Sequence, residues 1–188
     1  MNTLNTFAET TDTTADIERR FSSTNRLYGL SAAEAIRAAH VVVVGIGGVG
    51  SWTAEALARS GVGTLTLIDM DHIAESNINR QVHALDTTVG QAKIEAMRER
   101  IAHINPYCQV RCVDDFVTED NWTELLVQIT KVHGKVNGII DACDQIRAKT
   151  AMAAWAMRWC NAARCNFSSS FHPTLGAAWC AVNTPLCW

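Results

Sequence analysis

The chain has no surplus of basic residues. Its 16 Lys and Arg stand against 19 Asp and Glu, for a net charge of −3. No basic stripe advertises a nucleic-acid backbone, so a DNA-binding protein is not expected. No apolar run reaches membrane-spanning length, which argues against a transmembrane segment. The first residues, Met1 to Asp16, are rich in Thr and Asn and lack an apolar signal core. The seven cysteines contain no CxxC pair, so neither a zinc-knuckle framework nor a disulfide scaffold is indicated. Reduced thiols and a cytoplasmic location are the expectation. Charge itself is scarce at one end. From Ala151 to Trp188 only Arg158 and Arg164 are charged, where about nine charges would be ordinary.

What is present is an alternation of strand and helix. Ser31-Ala32-Ala33-Glu34 has the pattern of a capping box and predicts a short helix to about His40. Val41 to Val44 is a continuous β-branched run, as in a strand buried on both faces. A glycine loop, Gly45 to Gly50, follows, then a helix through Trp52 to Arg59 that Gly61 stops. Further strands are predicted at Thr64–Ile68, Val110–Val113 and Val136–Ile140. Further helices are predicted at Ala92–Ile104, from Asn121 to about Val132, and from near Gln145. The pattern predicts an α/β fold, a Rossmann-like, mostly parallel sheet with helices on both faces. The division is a disordered lead-in over 1–18, a nucleotide-binding domain over 19–157 and an atypical tail over 158–188.

Gly45-Ile46-Gly47-Gly48-Val49-Gly50 fits G-x-G-x-x-G between a strand and a helix. Glycines there let backbone amides approach a phosphate, and the helix N-terminus adds donors. Asp69, at the end of the second strand, suits ribose hydroxyls. Beyond it come Asp71, Asn77, Arg80, Gln81 and Lys93. A hydride-transfer enzyme has no need of this polar set. A triphosphate does: Arg80 and Lys93 can neutralise its charge, and Asn77 and Gln81 can orient its oxygens. Asp144 follows the fourth strand, where a carboxylate can hold Mg²⁺ against phosphates. Singly, Arg80 and Lys93 are ordinary surface cations and Asp144 an ordinary helix cap. Their joint order carries the signal.

From about Arg20 to Lys149 the chain resembles the adenylating enzymes of the ubiquitin-activating-enzyme-like (ThiF/MoeB/HesA) superfamily. The carriers are GIGGVG, the Asp69-x-Asp71 pair, Asn77-Ile78-Asn79-Arg80-Gln81, the VGQAK segment and Asp141-x-x-Asp144. Ser51-Trp52, Ile104-Asn105-Pro106 and Asp114 to Thr118 look most like the branch that dehydrates threonylcarbamoyladenosine in tRNA. The resemblance implies ATP and Mg²⁺. Gly45, Gly47, Gly48 and Gly50 would line the phosphates, and Asp69, with Asp71 beside it, would hold the ribose. Asn77, Arg80, Gln81 and Lys93 would meet the triphosphate, and Asp144 the metal. Arg26 matches the superfamily's N-terminal arginine, which reaches the partner subunit's site, so a homodimer is implied. Modified tRNA would be the substrate, with sulfur-transfer proteins as further partners. The implied reaction is adenylation of a carboxylate, then cyclising dehydration. The alternatives are adenylation of the C-terminus of a ubiquitin-like sulfur carrier, and an inactive nucleotide-binding fragment.

After about Arg158 the resemblance dissolves, and no strand or helix period is evident. The loss of Lys, Asp and Glu, with Trp and Cys in excess, suggests a shifted reading frame or a premature end. The sheet would then be incomplete at its C-terminal side. A short natural form with an apolar dimerising tail competes with that reading. A zinc site from Cys160, Cys165, Cys180 and Cys187 is disfavoured by their spacing.

Overall fold

The valine run lies in the interior of the sheet. β1 (His40–Val44) pairs in parallel with β2 (Thr64–Ile68) on one side and β4 (Gly138–Asp141) on the other. β3 (Gln109–Val113) continues the parallel set beyond β2. Successive side chains on a strand point to opposite faces, and β1 uses both. Val43 packs with Ala54, Ala58, Ile94, Met97 and Ile101, from α4 (Gly50–Arg59) and α5 (Lys93–Ile104). Val42 and Val44 pack with Trp122, Leu126 and Ile129 of α6 (Trp122–His133) and Met152 of α7 (Ile146–Ala163). Each fully buried Val or Leu contributes about 1.5–3 kcal/mol, so β1 is stabilised from two sides. Across α6 and α7, the rings of Trp122 and Trp155 meet edge to face at 6.4 Å. Glu55 of α4 pairs with Arg59 on its own helix and with Arg100 of α5, at 2.7 and 2.6 Å. That bridge fixes the two helices on one face.

The computed structural model describes residues 13–163, 168–171 and 178–181. The strand order is β3-β2-β1-β4-β6-β5, with β5 (Ser168–Phe171) and β6 (Ala178–Ala181) antiparallel to each other and β6 antiparallel to β4. The four parallel strands and two-faced helices match the expected Rossmann-like class. The order reverses at β1, between β2 and β4, which opens a crevice at the carboxyl ends of those strands.

Three expectations need correction. The lead-in is partly helical: α1 (Thr13–Arg20) is followed by α2 (Ser22–Tyr28), while residues 1–12 lie outside the described residues. Phe21 anchors this segment by burial. Arg20 Nη1 donates to the Ile104 carbonyl at 2.7 Å, satisfying an open acceptor at the end of α5. The Ser31 capping box does not form. α3 (Leu30–Ala38) begins one residue earlier, after Gly29 at φ 80°, which ends α2 and starts α3 without a side-chain cap. Regular structure also does not stop at Arg158. The alanine-rich run carries α7 past Arg158 to Ala163, and β5 and β6 follow. Loss of charge is not loss of helical propensity. The side chains of Cys160, Cys165, Cys180 and Cys187 lie outside the described residues.

Candidate functional site

The turn leaving β1 shows why its glycines are needed. Gly45 sits at φ 85°, and a Cβ there would lie 2.8 Å from the Cys143 amide nitrogen. A Cβ at Gly50 would lie 1.7 Å from the Gly45 carbonyl oxygen, so the start of α4 folds back on the loop's first residue. Gly47 differs, because a Cβ there would meet nothing within 4 Å. Its free side is the side from which a ligand can approach. The Asp69 carboxylate holds the loop: it accepts from the Ile46 amide at 2.6 Å and the Asp71 amide at 2.8 Å.

A cavity of about 670 Å³ opens beside this loop, large enough for a nucleotide-sized ligand. It is lined by Gly45, Gly47, Gly48, Asp69, Asp71, Asn77, Arg80, Gln81, Lys93 and Asp144, ten of the twelve residues singled out in the sequence. Gly50 is not on its wall and acts through the turn. Arg26 is not on it either. It stands exposed in the last turn of α2.

The segment between β2 and α5 builds one wall with little regular structure. Asn77, in a single 3-10 turn, accepts from the Ala74 amide at 3.0 Å. Arg80 donates to the Ser76 carbonyl at 2.6 Å and to Asn79 at 3.0 Å, and its stem lies beside Gly48. Trp52 pins the turn by donating its indole N–H to the Arg80 carbonyl at 3.0 Å. The Gln81 side chain is buried, and its Oε1 has no hydrogen-bond partner among the described residues. Lys93, the first residue of α5, is almost wholly buried, and its Nζ meets Asp71 Oδ2 at 2.7 Å. Asp71 stays largely exposed. The pair therefore presents one shielded cation and one accessible carboxylate. Behind this wall lies His83, buried with neither ring nitrogen partnered among the described residues. Burial, then the charges of Lys93 and Arg100, pushes its pKa down to about 4.

Sequence reasoning missed part of the opposite wall. Lys149 lines the cavity and pairs with the buried Asp141, the last residue of β4, at 3.1 Å. A lysine in the first turn of a helix opposes the helix dipole, and that local anomaly could have flagged it. Asp115 and Phe116 also line the cavity, as does Cys143. Burial, then the Asp141 carboxylate, raises the Cys143 thiol to about 12, so it is no nucleophile near neutral pH. The cavity wall carries the carboxylates of Asp69, Asp71, Asp115 and Asp144 against the cations Arg80, Lys93 and Lys149. Four against three leaves one formal negative charge. No helix among the described residues is long and apolar enough to cross a membrane.

The chain is similar to the tRNA threonylcarbamoyladenosine dehydratase of Escherichia coli K12, 53% identical over 140 residues, which are 74% of this chain and 50% of that one. It is 45% identical over 141 residues to the protein of the same name from Haemophilus influenzae, covering 75% and 52%. The chain spans about half the length of the curated relatives it matches. Among solved structures, the E. coli dehydratase in complex with ATP superimposes with a TM-score of 0.69 at 45% identity, over 84% of this chain and 63% of that one. The ThiF family model matches residues 21–173, from the buried Phe21 through the glycine loop, both cavity walls and α7. Sequence, fold and cavity thus agree over most of the chain, and the protein belongs to the ThiF family.

Proposed function

We propose that this chain binds ATP and adenylates a carboxylate, the first half of a cyclising dehydration of threonylcarbamoyladenosine in tRNA. One observation carries the nucleotide reading. The open side of Gly47, the Asp69 carboxylate and the cations of Arg80 and Lys93 converge on one cavity at the strand-order reversal. The names of the relatives, and the ATP complex of one of them, support the reaction and its substrate.

The chemistry follows from charge. The attacking carboxylate is already ionised at neutral pH, with a pKa of about 4, and needs no general base. It needs relief from repulsion by the triphosphate. A carboxylate oxygen bonds to the α-phosphorus, the bond to the bridging oxygen breaks, and pyrophosphate leaves with that electron pair. Arg80 and Lys93 stabilise the charge that gathers on the leaving group. The neighbouring ureido group then attacks the acyl carbon, loses a proton and expels AMP. Such closure has effective molarities on the order of 10⁵ M, so positioning does most of the work.

The wall's formal negative charge would repel ATP, so added cations are required. Mg²⁺ fits, because it binds through one or two carboxylates together with phosphate oxygens and water. Asp144 supplies such a carboxylate, and no cage of three protein ligands is needed. None is found among the described residues. Bound there, the ion would neutralise phosphate charge. A second source of charge is Arg26. It lies off its own cavity, beside the exposed apolar Leu27, Tyr28 and Leu30. That surface suits a second copy of the chain, whose cavity Arg26 would reach.

The test is ATP–pyrophosphate exchange with tRNA carrying threonylcarbamoyladenosine. Exchange that needs both this tRNA and Mg²⁺ is expected. Exchange with a sulfur-carrier C-terminus instead would move the substrate to that class. ATP binding without exchange on either would leave a nucleotide-binding fragment.

A further inference from the structure

The buried Asp141 is an unexpected hub. Its Oδ1 accepts from the Cys143 amide at 3.2 Å, from the Cys143 thiol at 3.1 Å and from Lys149 Nζ at 3.1 Å. Three donors thus converge on one oxygen at the very end of β4. They come from the loop that carries Asp144 and from the first turn of α7. The Asp141 side chain is 7% exposed and that of Lys149 25%. The loop they clasp is tightly confined on its other side, since the Gly45 turn packs against Ala142 and the Cys143 amide. The Lys149 amide donates to the Gln145 carbonyl at 3.0 Å, so the first turn of α7 starts directly beyond Asp144. Its first turn holds no acidic residue. The dipole therefore offers Lys149 no reason to sit there, and Asp141 does.

From this geometry we propose that the Asp141–Lys149 pair is a brace that fixes the Asp144 carboxylate, making both residues positioning residues for the divalent cation that accompanies the nucleotide. The inference rests on the nucleotide reading above and extends it. Groups that orient a metal ligand without touching the metal typically change metal affinity by about 10–100-fold. A brace acting only through Asp144 affects the nucleotide only when the cation is present. A lysine that touched phosphate directly would act with or without it. The two roles therefore separate cleanly.

The experiment is a calorimetric titration of ATP into the wild-type chain and the variants D141N, K149M, K149R and D141N/K149M, in Mg²⁺ and again in EDTA. The double variant removes both charges together and guards against an unpaired buried charge unfolding the chain. In Mg²⁺, D141N, K149M and the double variant are expected to lose about tenfold in affinity or more, with the double no worse than the singles. In EDTA the double variant, which removes one charge of each sign, should match wild type within about twofold, and in Mg²⁺ K149R should keep most of the wild-type affinity. Equal losses in Mg²⁺ and EDTA would overturn the brace in favour of direct contact, and no loss in either would overturn it outright. Amide exchange of residues 142–145, without nucleotide, gives an independent reading. It should quicken about tenfold in D141N/K149M. If wild type binds no ATP, the nucleotide reading fails. The brace still stands or falls on the exchange result, and unchanged exchange overturns it.

Discussion

His83 shows what one buried side chain does to stability. It is buried without a ring partner among the described residues, and its pKa falls from 6.5 to about 4. Between those values the unfolded chain binds a proton at this position and the folded chain does not. Stability therefore rises with pH through that window and is lost as pH falls from 6.5 towards 4. By pH 5 the loss from this group is roughly 2 kcal/mol. His40 adds in the same direction, through burial first and then Arg111 and His133. Glu55 enters lower. Burial pushes its carboxyl up, but the hydrogen bonds and charges of Arg100 and Arg59 outweigh that, and the net shift is down from 4.5. Its stabilisation is present above that value and goes as pH falls through the depressed pKa. Urea denaturation at pH 6.5 and pH 5 separates these groups. Wild type should weaken over that interval, and His83→Leu should weaken by roughly 1.5 kcal/mol less. The same slope in both proteins would mean that His83 is protonated in the native state.

At the scale of the element, the glycine loop divides its glycines between folding and binding. Gly50→Ala drives a methyl group into the Gly45 carbonyl, a contact the backbone cannot relieve without moving. It should destabilise the chain by about 3 kcal/mol or more. Gly47→Ala meets open space. It should change stability by less than about 0.5 kcal/mol yet weaken ATP binding at least tenfold. Thermal melts beside nucleotide titrations decide this, and a Gly47→Ala chain that binds normally would remove the loop from the phosphate site. The sequence displayed the loop because a fixed spacing between a valine strand and a helix has few other uses. It displayed Asp69, Arg80 and Lys93 because polar residues cluster beyond that strand. It did not display the Asp71–Lys93 or Asp141–Lys149 pairs, whose partners are 22 and 8 residues apart and meet only once strand and helix pack. Nor did it display β5 and β6. Ser168–Phe171 and Ala178–Ala181 hold no β-branched residue, the signal that marked β4 through Ile139 and Ile140, and β6 pairs antiparallel along the edge of β4.

At the scale of the whole molecule, Arg26 is the one cation of the implied set that does not line its own chain's cavity. Four carboxylates face three cations on that wall, so a further positive charge from a second copy would favour a triphosphate. If Arg26 acts in the partner's cavity, each site of a dimer is built from two chains. Arg26→Ala and Lys93→Met should then each abolish pyrophosphate exchange when assayed alone. Mixed after reversible dissociation, they form heterodimers in which one site keeps both residues: the Lys93 of one chain faces the Arg26 of the other. Half the dimers are mixed and each has one intact site, so about a quarter of wild-type activity should return. An arginine acting within its own chain gives a different result, because every site would then lack one residue however the chains were mixed. Restoration on mixing therefore requires a site shared between chains, and its absence alongside a stable dimer would confine Arg26 to the surface of α2.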